Sequence, residues 1–191
     1  MAKDAAARVS GESIRGNYER FGVQAFYERA GDSYRNPHEP AIREALRQSL
    51  DRWQPELNNV LDLACGSGEV TLALREADGA HITGIDPYTG AAYLERTGQQ
   101  AEAVTFEQIS TGLLAERRYS LIVCSFALHL VEKSRLPLVA YQLSLIAPAL
   151  LILTPHKRPT LRSEWGWQLV GELNANRVRA RFYRSTNAGG G

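Results

Sequence analysis

The sequence predicts a doubly wound α/β fold, a mostly parallel sheet with an N-terminal helical cap. Two observations support this fold class. From residue 59 onward, short apolar runs of strand length alternate with stretches of helix length. Strands joined by helix-length crossovers pair in parallel, and near-continuous apolar strands indicate helices on both faces of the sheet. The 191 residues fit a single domain.

The composition is that of a globular protein without a strong charge preference. Hydrophobic residues make up 44% and charged residues 23%, which excludes disordered, collagen-like and coiled-coil classes. The formal charge of +1 provides no overall field that attracts nucleic acid or a membrane. The two cysteines lack metal-ligand spacing, so we expect neither a disulfide scaffold nor a structural zinc site. The chain has no signal-like start and no apolar window of membrane length, and we predict a cytoplasmic protein.

The first 57 residues are predicted to form a helical cap of the same domain. Apolar residues recur from Ile42 to Trp53 at spacings of four, four and three, which places them on one helix face. Pro40 suits the first turn of that helix. A loop is predicted over residues 31–40 because Gly, Asp, Ser, Asn and Pro are frequent there.

The core is predicted to span residues 58–186, and residues 187–191 are expected to form a disordered tail. The predicted strands are Val60–Ala64, His81–Ile85, Val104–Glu107, Leu121–Ser125 and Ala149–Leu153, with helices over 69–77, 89–97 and 134–146. After the fifth strand we expect a helix over Ser163–Asn174 and one strand over Arg177–Arg184.

The first candidate site is the turn Gly66-Ser67-Gly68, which follows the first strand and opens a helix. Missing Cβ atoms let a ligand approach the backbone, and the helix N-terminus offers N–H groups to an anion. A nucleotide-like ligand fits this turn. The alternative is purely structural, since many tight turns from strand to helix use glycine.

Asp62 lies inside the first strand, where a sheet core is normally apolar and a carboxylate is costly without a partner. A dinucleotide fold has apolar residues there, and its third glycine is replaced by Thr71. A carboxylate that faces a cationic ligand fits better. The alternative is an Asp62 satisfied by backbone N–H groups of the turn.

Asp86 stands at the carboxyl end of the second strand. A carboxylate at this place accepts hydrogen bonds from the two hydroxyls of a ribose, and Pro87 and Tyr88 then lie beside the adenine position. The alternative is that Asp86 caps the following helix.

Three motifs in this order resemble those of the class I methyltransferases that use S-adenosylmethionine. They are Leu61-Asp62-Leu63-Ala64-Cys65-Gly66-Ser67-Gly68, then Gly84-Ile85-Asp86, then Tyr119-Ser120-Leu121-Ile122-Val123-Cys124-Ser125-Phe126-Ala127-Leu128-His129. The likeness covers about residues 58–155 and implies a Rossmann-like sheet and an enzyme with S-adenosylmethionine as its cofactor.

The resemblance also implies cofactor-binding residues. Asp62, Ala64, Cys65, Gly66, Ser67 and Gly68 correspond to the methionine end, Asp86 to the ribose, Pro87, Tyr88, Gln108, Ile109 and Ser110 to the adenine, and Cys124, Ser125 and Phe126 to the surroundings of the reacting methyl. The sequence departs from the family pattern twice. Ala64 stands where the family often has its first glycine, and residues 107–110 lack the Asp that many members use for the adenine amine.

The acceptor side is less defined by the sequence. His129, just past the fourth predicted strand, is our candidate for a catalytic general base. The alternative is a histidine that bonds a backbone carbonyl or caps a helix. The candidates for substrate binding are Tyr18, Tyr34, His38 and His156, which lie in the cap or after the fifth strand.

We predict methyl transfer to an O, N or C atom of a small organic acceptor, with no metal, no membrane and no nucleic acid partner. The segment Cys124-Ser125-Phe126-Ala127 lacks the Asn or Asp before Pro-Pro-aromatic that relatives acting on adenine amines or side-chain amides carry. Two alternatives stay open. One is an RNA or protein methyltransferase that docks through Arg177–Arg184, although that arginine row fits protection of an exposed sheet edge better. The other is a cofactor-binding subunit without catalysis.

Overall fold

A computed structural model describes residues 35–76 and 80–187 of the chain. The predicted helical pieces ahead of residue 35 lie outside the described residues, and so does all of the predicted tail except Asn187.

The described residues form five α-helices and six strands. The helices are α1 (Glu39–Trp53), α2 (Glu69–Arg75), α3 (Gly90–Thr97), α4 (Phe106–Ser110) and α5 (Leu136–Ile146), and the strands are β1 (Asn59–Leu63), β2 (His81–Ile85), β3 (Leu121–Ser125), β4 (Ala149–Thr154), β5 (Trp167–Ala175) and β6 (Val178–Ser185). Short 3₁₀ helices occupy Leu128–Leu130 and Ser163–Trp165. Within the two described ranges, no helix has the length and apolar character needed to cross a membrane.

The six strands form one sheet in the order β2-β1-β3-β4-β6-β5. The first four in this order are parallel, and β6 pairs antiparallel with both β4 and β5. This arrangement confirms the predicted doubly wound, mostly parallel sheet. The carboxyl ends of the four parallel strands therefore meet at one edge of the sheet.

Alternation along the strands gives the sheet two buried faces. On one face, Leu61 and Ile122 belong to a core cluster that includes residues of α5. On the other face, Val60 and Val123 pack in a cluster with residues of α1 and α2. Asp62 is two residues from Val60, so its side chain enters this second, otherwise apolar layer.

The predicted third strand over Val104–Glu107 is wrong. A helix, α4, begins at Phe106, and a single bridge between Ile85 and Glu102 is the only pairing in this region of the described chain. Thr105 and Gln108 explain the difference, because they form a capping box. The Thr105 hydroxyl accepts from the Gln108 backbone N–H at 3.2 Å, and the Gln108 amide oxygen accepts from the Thr105 N–H at 2.9 Å.

The predicted helix over Ser163–Asn174 is also wrong, since most of that range is strand β5. β5 and β6 form a hairpin whose turn residues Asn176 and Arg177 both have positive φ. The Trp167 indole N–H donates to the Ala140 carbonyl oxygen at 2.7 Å and ties this hairpin to α5. The C-terminal region thus contains two antiparallel strands, where the sequence predicted one.

Interpreting the arginine row as protection of a sheet edge is wrong, because β6 lies inside the sheet, between β4 and β5. Arg181 is buried, and its Nε donates to Glu172 on β5 at 2.7 Å. Its two other nitrogens donate to the carbonyl oxygens of Lys157 and Pro159 at 2.7 and 2.9 Å. Arg179 also pairs with Glu172. The arginines therefore fasten β5 and the loop after β4 to β6.

Glu172→Ala is expected to lower the free energy of unfolding by about 2 kcal/mol, because it leaves the buried Arg181 guanidinium without its carboxylate. This loss of stability is smaller than the loss expected for a fully buried ion pair, because the Glu172 side chain is 29% exposed. Denaturant unfolding measures the change. Glu164→Ala is the matched control, because its pair with Arg162 is well exposed, and it should cost less than about 0.5 kcal/mol. Equal losses in both variants would contradict the structural role of the buried pair.

Candidate active site

A cavity of about 330 Å³ lies at the carboxyl ends of the parallel strands. Its walls come from the segments that follow β1, β2 and β3, together with the start of α4 and the segment ahead of α1. In open parallel sheets this edge is where ligands bind, since the loops after neighbouring strands converge there.

Most of the predicted cofactor residues line this cavity. They are Asp62, Ala64, Cys65, Gly66, Asp86, Pro87, Tyr88, Ile109, Ser125 and Phe126. The remaining ones, Ser67, Gly68, Gln108, Ser110 and Cys124, are not part of its lining. Gln108 instead closes the capping box of α4, and Cys124 is fully buried in the core.

Further lining residues were missed from the sequence. They are Asn36, Leu63, Glu69, Val70, Val104, Thr105, Phe106, Glu107, Ala127, Leu130 and Glu132. The Thr-x-x-Gln pattern at 105–108 was an available signal for α4, and it explains why Thr105 and Phe106 reach the cavity. No comparable signal marks Asn36, whose position depends on contacts distant in sequence.

The charge of the cavity wall is entirely acidic. Among its described residues are five carboxylates, from Asp62, Glu69, Asp86, Glu107 and Glu132, and no Lys, Arg or His. Such a wall attracts a cation and repels phosphate groups. The site therefore suits a positively charged ligand.

Asp62 is 1% exposed, and its two carboxyl oxygens have different surroundings. Oδ2 accepts from the Thr71 backbone N–H at 3.1 Å and from the Thr71 hydroxyl at 2.7 Å. Oδ1 is buried and has no hydrogen-bond partner among the described residues. Both hydrogen-bond donors to Asp62 thus belong to Thr71 of α2 and not to the glycine turn. Oδ1 stays available to accept a hydrogen bond or to face a cation.

The surroundings of Asp62 disfavour its charge. Burial raises the pKa of Asp62 to about 7, and the neighbouring carboxylates Glu69 and Asp86 add to this rise. The hydrogen bonds from Thr71 act in the opposite direction but do not cancel the effect of burial. A cation beside Oδ1 would restore the ionised form.

Asp86 shapes the segment between β2 and α3 and also lines the cavity. Its Oδ1 accepts from the backbone N–H groups of Tyr88 and Thr89 at 2.8 and 3.1 Å, which shapes the turn into α3. Its Oδ2 accepts from the Gly66 N–H at 3.3 Å and so joins the ends of β1 and β2. Burial raises the pKa of Asp86. The carboxylate also lines the cavity, where it can accept further hydrogen bonds.

Two non-glycine residues of the cavity wall have left-handed backbone conformations. Ala64, after β1, has φ 56°, and Phe126, after β3, has φ 55°. Such conformations carry a cost of about 1 kcal/mol or more for residues with a side chain, and they concentrate at functional sites. At Ala64 the family often has glycine, which adopts this conformation without strain.

Three of the five predicted acceptor-side residues lie in the described range. The His129 and His156 rings lie 4.5 Å apart and are not among the residues that line the cavity, whereas the His38 ring stacks on Phe126 of the cavity wall with ring centroids 5.3 Å apart. Tyr18 and Tyr34 lie outside the described residues.

His129 is half-buried in the short helix after β3. Its Nδ1 has no hydrogen-bond partner among the described residues, so the backbone-carbonyl alternative is not seen at this nitrogen. Burial, followed by the nearby His156, lowers the pKa of His129 to about 4. The ring is therefore uncharged near neutral pH, and the lowered pKa makes it a weaker base than an exposed histidine.

A hydrogen-bonded network joins the segment ahead of α1 to the cavity wall. The Asn36 N–H donates to a Glu69 carboxyl oxygen at 3.2 Å. Arg96 on α3 binds the same Glu69 oxygen at 3.2 Å and Glu39 at 2.8 Å. These contacts bring Asn36 to the cavity and pair the Glu69 carboxylate with the Arg96 guanidinium.

Comparison with known proteins identifies the family. A family model described as a methyltransferase domain matches residues 60–146. The chain is 32% identical to the uncharacterized protein C17A5.05c of Schizosaccharomyces pombe (strain 972) over 230 aligned positions, which span 92% of this chain and 93% of the relative. The chain belongs to the class I methyltransferases, enzymes whose cofactor is S-adenosylmethionine.

Solved structures share the fold. The N-methyltransferase NodS from Bradyrhizobium japonicum WM9, in complex with S-adenosyl-L-homocysteine, matches with a TM-score of 0.61 and 17% identity, covering 90% of this chain and 97% of its own. Magnesium protoporphyrin IX methyltransferase (ChlM) from Synechocystis PCC 6803, with bound S-adenosylmethionine, matches with a TM-score of 0.52 and 18% identity, covering 93% and 99%. At these identities the likeness concerns the fold alone.

Asp62→Asn is expected to stabilise the ligand-free protein at pH 8 by about 1–2 kcal/mol. The pKa of Asp62 is about 7 in the folded chain against an ordinary value of 3.8, so the folded state holds an extra proton between these values. Stability contributed by the protonated group is therefore lost as pH rises from about 4 to about 7, and asparagine avoids that loss.

The measurement is the free energy of unfolding at several pH values. The gain from Asp62→Asn should vanish near pH 4, whereas Asp51→Asn, an exposed control on α1, should show no such dependence. A loss of stability at pH 8, or a gain that is independent of pH, would contradict the assignment.

Proposed function

We propose that this methyltransferase transfers the methyl group of S-adenosylmethionine to an O, N or C atom of a small organic acceptor. The observation that carries the proposal is the acidic cavity with the unpartnered Oδ1 of Asp62. S-adenosylmethionine carries a sulfonium and an ammonium group, and a buried carboxylate with a free acceptor is complementary to such a cation.

The residues of the cavity fit the rest of the cofactor. Asp86 retains acceptor capacity for ribose hydroxyls, while Pro87, Tyr88 and Ile109 offer mainly apolar contacts for an adenine ring. Residues 107–110 lack the Asp that many relatives use for the adenine amine, and we propose that Thr105 and Phe106, which line the cavity, contact the adenine in its place. In our proposal the cavity residues predicted from the sequence hold the cofactor.

The chain's own part in the reaction is to orient the acceptor and exclude water. When bound, S-adenosylmethionine supplies a sulfonium methyl that a nucleophile can displace in line. His129 is proposed to take the proton from an acceptor that must lose one, because its ring is neutral and Nδ1 is unengaged. His38, which stacks on Phe126, and His156, which packs on His129, are proposed to contact the acceptor, as are Tyr18 and Tyr34.

An RNA or protein acceptor receives less support. Arg179 and Arg181 are already paired with Glu172, and Arg181 is buried, so two members of the arginine row are engaged within the sheet and not with a phosphate. The acidic cavity wall also opposes a phosphate backbone near the reacting centre. A cytoplasmic location and a cap formed by residues 1–57 stay predictions of the sequence.

Methyl-labelled S-adenosylmethionine tests the acceptor class. The purified chain is incubated with the labelled cofactor and a cell extract, and the products are separated by size. We expect label in the small-molecule fraction and its loss with Asp62→Asn, which removes the proposed counter-charge of the cofactor. Label confined to RNA or protein, or no label despite cofactor binding, would overturn the small-molecule proposal.

His129→Ala is expected to reduce turnover by about 100-fold or more for an acceptor that must lose a proton. Its dissociation constant for S-adenosylmethionine should change by less than about twofold, since His129 is outside the cavity lining. Rates are measured with both substrates saturating. His81→Ala is the control, because His81 is exposed at the opposite end of the sheet and should retain full turnover. An unchanged rate in His129→Ala would remove this residue from catalysis.

A further inference from the structure

The Thr71 hydroxyl, which holds Asp62, is itself in contact with a second hydroxyl. Thr71 Oγ1 lies 2.7 Å from Asp62 Oδ2 and 2.9 Å from the hydroxyl oxygen of Tyr93, and all three groups are buried. A threonine hydroxyl has one proton, and an ionised carboxylate only accepts. The chain of hydrogen bonds therefore has one direction, in which Tyr93 donates to Thr71 and Thr71 donates to Asp62.

Tyr93 is held firmly in this position. Its side chain is fully buried, and its hydroxyl lies against Gly84, which is the neighbour of Asp62 in the β1–β2 register. A Cβ at Gly84 would come within 2.5 Å of the Tyr93 hydroxyl oxygen. A side chain at position 84 would therefore clash with Tyr93. Because glycine stands there, the Tyr93 hydroxyl can pass over β2 and reach Thr71 beside β1.

Among the residues that the structure describes, Asp62 has no direct cationic partner. Glu69 and Asp86 raise its pKa further, and Asp62 in turn raises the pKa of Cys65, Cys124 and Tyr93. Arg75 faces Tyr93, and its guanidinium donates to the carbonyl oxygen of Thr97 at 2.6 Å. The hydrogen-bond chain through Thr71 is thus the main support of the ionised carboxylate in the absence of a ligand.

We infer that Tyr93 is a positioning residue for the cofactor. Through Thr71 it fixes Asp62 so that Oδ2 is occupied and Oδ1 is left facing a cationic group of S-adenosylmethionine. The inference rests on the proposed role of Asp62 in cofactor binding. Tyr93 lies outside the cavity lining and acts through two other side chains, so it is not a catalytic residue.

The structure predicts a pH-dependent affinity for the wild-type chain. A proton on Asp62 is placed best on Oδ1, because Oδ2 already accepts two hydrogen bonds, and a protonated Oδ1 no longer accepts from a cation. Binding of S-adenosylmethionine should therefore weaken about tenfold from pH 8 to pH 6. Calorimetric titration with the cofactor at these pH values provides the measurement.

Tyr93→Phe removes the first donor of the chain and keeps the ring. At pH 7 it should weaken cofactor binding about three- to tenfold, and the pH at which binding is half lost should move upward, since the ionised form has lost support. Thr71→Val should act in the same direction. Because Tyr93 acts through Thr71, adding Tyr93→Phe to Thr71→Val should have little further effect.

Tyr119→Phe is the matched control, since Tyr119 is a buried tyrosine that precedes β3 at the opposite end of the sheet. It should bind the cofactor like the wild type at every pH, and thermal unfolding checks that all variants are folded. The inference is overturned if Tyr93→Phe keeps the wild-type affinity and pH profile, or if it weakens binding equally with Val at position 71. Unaltered binding by Asp62→Asn would instead overturn the proposed cofactor site.

Discussion

The Asp62 carboxylate lies near the carboxyl end of β1, flanked in the sheet by Gly84 and Val123 and covered by an apolar layer. The residues around Asp62 provide the hydrogen bonds and the space that a buried carboxylate needs. Thr71 stands where a dinucleotide fold has a glycine and supplies two hydrogen bonds to one oxygen. The ligand-free protein carries an incompletely compensated buried charge, and a cationic cofactor is the natural complement. Stability and cofactor binding therefore make opposite demands on one residue.

Glycines near this carboxylate serve packing as well as backbone freedom. Gly68 has φ 91°, and a Cβ there would also come within 2.5 Å of the Thr97 methyl group. Gly84 leaves room for the Tyr93 hydroxyl. The motif that resembles a cofactor-binding fingerprint is thus also the place where α3 packs closely onto the sheet. Substitutions at these glycines would affect binding and packing together, and a loss of activity alone would not separate the two effects.

The sequence predicted the four parallel strands and the residues at their ends better than α4 and β5. The parallel strands are mostly apolar, so their positions followed from composition, and most of the site residues come at or just after the ends of those strands. The prediction of a strand over Val104–Glu107 failed because a short apolar stretch fits a strand or a helix equally well. The capping box of Thr105 and Gln108, which indicates a helix, was overlooked. The prediction of a helix over Ser163–Asn174 failed because pairing with β6, and not the local sequence pattern, determines the conformation of β5. Asn36 was missed because its place depends on Glu69, 33 residues away.

The stacking of Trp53 on Phe182, with ring centroids 5.3 Å apart, joins the end of α1 to the interior of β6. The β5–β6 hairpin closes over a short turn and can form from local contacts, whereas α1 obtains much of its packing surface only when that hairpin is present. During synthesis the first described helix must therefore wait until β5 and β6 have left the ribosome. Its docking is expected to complete folding and to be the slow, non-local event of the process.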